Sequence, residues 1–72
     1  MLQREQLRSL RKRLGVPQVR LCAALGIDRA SFNLWENGWR QMDENVIRRV
    51  EEYLANELAA LQSLVSPLER VQ

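Results

Sequence analysis

The chain has only three glycines, Gly15, Gly26 and Gly38, and each stands behind a stretch patterned for an amphipathic helix. A helix commonly ends on glycine because the residue after its last turn takes a left-handed backbone that a Cβ disfavours. Their spacing leaves room for three short helices in the first forty or so residues. Leu7, Leu10 and Leu14 step at i, i+3 and i+7, which predicts a first helix over about residues 3–14. Pro17 fits the first turn of a second helix, where an N–H has no intrahelical use. Leu21, Cys22 and Leu25 give that helix its inward face, and Gly26 ends it. Asp28 is a good N-cap for a third helix running to about Trp35 or Glu36, before Asn37-Gly38. Two helices of about nine residues, separated by three or four, have helix-turn-helix proportions.

The second half reads differently. Asp43 is another plausible N-cap, and from there to Ser66 there is neither glycine nor proline. Val46, Ile47, Val50, Leu54, Leu58, Leu61 and Val65 step by threes and fours. The pattern fits one helix of about 22 residues, or two with a break near Ala55-Asn56; asparagine is a weak breaker, which favours the single helix. Pro67 disfavours helix at Ser66 and predicts a frayed tail over 67–72. No stretch alternates as a strand does. The expectation is an all-α domain of four to five helices, with a helix-turn-helix unit in 1–54 and a C-terminal helical segment in 55–66.

Seventy-two residues make one domain, which buries only about 60% of the surface its unfolded chain exposes. With 46% hydrophobic and 28% charged residues, the composition is that of a globular protein. A lone cysteine forms no intramolecular disulfide, and without histidine the usual zinc sites are out of reach. No metal or other cofactor is expected. Nor is an enzyme, because there is no histidine, no glycine-rich phosphate loop and no cysteine–histidine pair. No apolar run approaches the roughly 20 residues of a membrane span, and the N-terminus lacks a signal-peptide pattern. These features point to a cytoplasmic protein with no membrane partner.

Charge is unevenly placed. Residues 1–40 carry eight basic side chains against three acidic, a net of +5; residues 41–72 carry three against six, a net of −3. Such a division suggests one face turned to a polyanion, although two solvated surfaces of opposite sign would look the same. In the third helix, 100° per residue puts Phe32 and Trp35 on the core side. Ala30, Asn33, Leu34 and Asn37 fall opposite, with Arg29 on the flank near the helix start. These side-chain types suit a DNA major groove: asparagine pairs with adenine, arginine with guanine, and apolar groups meet a thymine methyl. The competing reading is a solvated face with one stray leucine.

Gly15-Val16-Pro17-Gln18, Leu21-Cys22, Leu25-Gly26-Ile27-Asp28 and Trp35-Glu36-Asn37-Gly38 together resemble the lambda-repressor/Cro-like (Xre-type) helix-turn-helix family, over residues 7–54. That resemblance implies a sequence-specific regulator of transcription, most simply a repressor, binding double-stranded DNA at a palindromic operator. It assigns base contacts to Arg29, Ala30, Asn33 and Leu34. Gln18 is implied to hold a phosphate and brace the third helix, and Arg40 to touch the DNA backbone. Arg11 and Glu36 match an internal arginine–glutamate pair. Pro17 departs from the family's usual capping hydroxyl, and Cys22 from its usual alanine; Cys22 reads as a small core residue. Lys12 and Arg13 are further candidates for phosphate contact, against the plainer reading of a solvated helix end. Trp39 either packs on the phosphate-backbone side or shields the core. Leu54, Leu58, Leu61 and Val65, widened by Leu64, form a stripe beyond what the core can cover and predict a homodimer. The alternative function is an antitoxin, or another protein-interaction module, that autoregulates its operon.

Overall fold

The computed structural model describes residues 3–69, with side chains described through residue 64. Four α-helices follow one another: α1 (Arg4–Arg13), α2 (Gln18–Leu25), α3 (Arg29–Glu36) and α4 (Glu44–Glu69). No strand occurs among the described residues, so the architecture is all-α.

Local chemistry accounts for the boundaries. Pro17 precedes α2 as its N-cap rather than lying inside the first turn. The Asp28 carboxylate accepts from the Ser31 backbone N–H at 3.1 Å and starts α3. Asp43 does the same for α4, accepting from the Asn45 N–H at 2.7 Å. After α3, the Gly38 N–H donates to the Trp35 carbonyl at 3.0 Å and the Trp39 N–H to the Leu34 carbonyl at 2.8 Å. This is a Schellman ending, and it requires the left-handed φ of +84° that Gly38 adopts. Gly26 ends α2 with φ +67°, as its place in the sequence predicts.

Leu7, Val16, Leu21, Cys22, Phe32, Trp35, Val50 and Leu54 form one buried cluster drawn from all four helices and the α1–α2 turn. The Phe32 and Trp35 rings are tilted at 46° with centroids 5.5 Å apart, so both side chains expected on the inner face of α3 are there. Both α3 and α4 pack against α1 and α2. Arg49 ties α4 to α2 by donating to the Leu25 carbonyl at 2.6 Å, and Arg20 pairs with Glu57 at 3.1 Å.

Residues 44–69 form a single helix with no break at Ala55-Asn56, as the favoured of the two readings expected. Two expectations change. That helix passes through Pro67 to Glu69, because proline weakens the α conformation of the preceding residue without forbidding it; the remainder of the expected tail, 70–72, lies outside the described residues. Leu54 is completely buried in the core, so it cannot belong to a dimer stripe. The stripe therefore begins at Leu58. Leu58, Leu61 and Leu64 are 38%, 45% and 69% exposed, while the Val65 side chain lies outside the described residues. At 1.5 Å per residue α4 is about 39 Å long. The molecule measures 48 × 22 × 19 Å, with α4 running on from Leu54, the last residue of the buried cluster among the described side chains. No helix among the described residues is long and apolar enough to cross a membrane.

Candidate nucleic-acid interface

The site is built on a buried ion pair. Arg11 Nε donates to Glu36 Oε2 at 2.7 Å and Nη2 to Oε1 at 2.8 Å, a two-pronged contact from α1 to the last turn of α3. The remaining Arg11 nitrogen, Nη1, donates to the Val16 carbonyl at 2.9 Å. Gln18, the first residue of α2, completes the carboxylate by donating from Nε2 to Glu36 Oε1 at 2.9 Å. One carboxylate thus joins α1, α2 and α3. No buried side-chain nitrogen or oxygen among the described residues lacks a partner.

This arrangement also neutralises the only acidic residue between Arg29 and Met42. What remains on the outer face of that segment is cationic, amide or apolar. Gln18, Arg29, Ala30 and Asn33 line one shallow depression, so three of the four predicted base-reading residues and the predicted brace come together there. Leu34 is 41% exposed on the same helix.

Asn33 is more constrained than its sequence position suggests. Its Oδ1 accepts from Gln18 Nε2 and from Asn37 Nδ2, both at 3.2 Å, and Asn37 also donates to the Asn33 carbonyl at 2.8 Å. The amide group thereby offers its Nδ2 hydrogens outward, suited to an acceptor such as a purine N7. Arg29 is exposed and makes no ion pair among the described residues. Arg40 reaches back to α3, donating to Ser31 Oγ at 3.1 Å; that hydroxyl donates in turn to the Asp28 carboxylate at 3.0 Å. The guanidinium is held at the N-terminal end of α3, where phosphate binding is also favoured by the helix dipole.

The basic run Arg11-Lys12-Arg13 is divided three ways. Arg11 turns inward, and Lys12 lines a groove with Arg4, Glu5, Arg8, Ser9, Glu36 and Asn37 beside the end of α3, where Arg4 pairs with Glu5 at 2.7 Å. Arg13 lines an adjoining depression that shares Glu5 and Ser9, and does not reach that groove. Arg4 and Arg8 are the residues that sequence reasoning missed. Their spacing from Lys12, four and eight residues, was the available signal for a single basic ridge. Trp39 is 81% exposed and does not shield the core.

Cys22 is buried, and burial pushes its thiol up from the ordinary 9.0, with the Glu36 carboxylate adding to the shift. A protonated, enclosed thiol is a poor nucleophile. A thiol reagent is expected to label the native protein only as fast as the fold opens, and the denatured protein at once; rapid stoichiometric labelling of the native form would contradict this placement. Among the described residues no cluster of three or more cysteine or carboxylate side chains is placed to hold a metal ion.

Compared with known family models, curated proteins and solved structures, the chain matches none.

Proposed function

We propose that this protein is a sequence-specific double-stranded DNA-binding regulator of the lambda-repressor/Cro-like kind, acting as a homodimeric repressor on a palindromic operator in the cytoplasm. The observation that carries this reading is the outer face of α3. Its only acid is buried and bound by Arg11 and Gln18, which leaves Arg29, Ala30, Asn33 and Leu34 presented to a polyanion. An α-helix fits the major groove, and these side chains can discriminate its base edges. Arg40 and Lys12 take phosphates on either side, while Gln18, whose two amide hydrogens go to Glu36 and Asn33, braces α3.

Dimerisation follows from the same logic. One such unit reads few base pairs, and two recognition helices one turn of DNA apart give the affinity an operator requires. The projecting part of α4 supplies the interface. Residues 58–68 contain no charge, so two copies can approach without like-charge repulsion, and an isolated helical end of this length is marginal in water.

The direct test is selection of preferred sites from randomised duplexes by the purified protein. A palindromic consensus is expected, and failure to enrich any sequence would sink the proposal. Within that assay Arg29→Ala is expected to lose about 1–3 kcal/mol, and Asn33→Ala, which removes a donor-only contact, less than that; each is expected to relax preference at one base position. Arg40→Ala is expected to weaken binding to all sequences equally and to lower the salt slope by about 1. A consensus unchanged base for base in Asn33→Ala would remove Asn33 from the reading surface.

A further inference from the structure

We infer that two copies of this chain join tail to tail, residues 58–68 of one α4 running antiparallel along the same residues of the other. The inference rests on the homodimeric DNA-binding reading and adds the direction in which the two halves join.

The stripe left open on the end of α4 is the same face that the core covers further up. At 100° per residue, Leu58, Leu61 and Leu64 fall within about 60° of the midpoint between the buried Val50 and Leu54. Exposure rises steadily from Leu54 through Leu58 and Leu61 to Leu64, as the cover given by the rest of the subunit recedes. Alongside residues 49–57 that cover includes α2. Arg49 donates to the Leu25 carbonyl at one end of α2, and Arg20 pairs with Glu57 near the other.

That coincidence of faces decides the direction. Packed helices stand about 8–10 Å apart. In a parallel pair, residues 49–57 of the partner would run where α2 already lies, and the two cores would collide. In an antiparallel pair the partner helix crosses only the open stripe and ends before the core. Residues 58–68 carry no charge, so equal stretches overlap without like-charge repulsion. Glu57, which bounds that run, is already matched by Arg20 at 3.1 Å.

The same geometry gives a length. The uncharged run centres on residue 63, which places the two-fold axis there. Residue 52, midway between Val50 and Leu54, lies about 16 Å from that axis at 1.5 Å per residue, because α4 is unbroken. The two core segments therefore stand about 33 Å apart along the joined helices. Half-sites one turn of DNA apart are separated by about 34–36 Å, so the antiparallel join sets the two recognition surfaces at the spacing an operator needs. A parallel join would leave them side by side.

The experiment uses the full chain with Cys22→Ala, so that one introduced cysteine carries a spin label. Arg48 and Glu52 are both exposed, one turn apart on the side of α4 away from the stripe. Moving the label from Glu52→Cys to Arg48→Cys takes it about 6 Å farther from the two-fold axis in each copy. Pulsed electron resonance is therefore expected to give a distance between copies about 10 Å longer for Arg48→Cys. Equal distances at the two sites would mean a parallel pair and overturn the inference, leaving the dimer and its DNA binding intact. The preferred duplex is expected to carry half-sites centred about one turn apart. Absence of any distance between copies would overturn the inference together with the homodimer. A monomer that still enriches a single half-site would leave DNA binding standing, and one that enriches nothing would overturn that reading as well.

Discussion

Replacing Arg11 with methionine while Glu36 stays in place is expected to cost about 3–5 kcal/mol of folding stability. The penalty is not the energy of two lost hydrogen bonds. It is the burial of a carboxylate without its counter-charge, with Gln18 as the one remaining side-chain donor to it. A domain of this length commands in total about 4–11 kcal/mol, so the variant should sit near its unfolding midpoint under mild conditions. Urea unfolding followed by circular dichroism measures the loss. The double variant Arg11→Met, Glu36→Leu is expected to recover most of it, because an apolar pair of similar volume removes the desolvation cost. Stability of Arg11→Met within about 0.5 kcal/mol of the original, the range of ordinary surface changes, would show that the pair does not anchor α1 to α3. The double variant also separates fold from function: with Glu36 gone, Gln18 keeps only its 3.2 Å bond to Asn33 on α3, and DNA affinity should stay low in a stable protein.

The second large effect divides α4 into two functional parts. Leu54→Ala is expected to lose about 2–5 kcal/mol, independent of protein concentration, because Leu54 is fully enclosed within the subunit core. Leu58→Glu combined with Leu61→Glu is expected to leave the subunit fold intact and abolish self-association, placing charges on a face that has none. Sedimentation at micromolar concentration checks the second claim: an original chain that sediments as a monomer, or a dimer indifferent to both glutamates, would refute the proposed interface. Operator affinity should fall with the dimer, since each recognition surface would then bind alone.

Helix positions were largely written in the sequence. Gly26 and Gly38 ended their helices, Asp28 and Asp43 began theirs, and the threefold-and-fourfold step of apolar residues marked which face of each helix turned inward. These are local effects of backbone sterics, capping and periodicity, and they act over a few residues. The Arg11–Glu36 contact came instead from the likeness to a family, since charges 25 positions apart carry no local mark of pairing. Assembly in space settled the rest. A periodic stripe cannot say where the core stops, so Leu54 and Leu58 looked equivalent although one is wholly buried and the other open. A run of three basic residues on a helix points in three directions, and only the packing of α1 against α3 showed that Arg11 faces a carboxylate, Lys12 the end of α3 and Arg13 neither. Trp39 was ambiguous for the same reason. Whether a loop aromatic is covered depends on which neighbours the tertiary fold brings to it, and here it brings none that bury it.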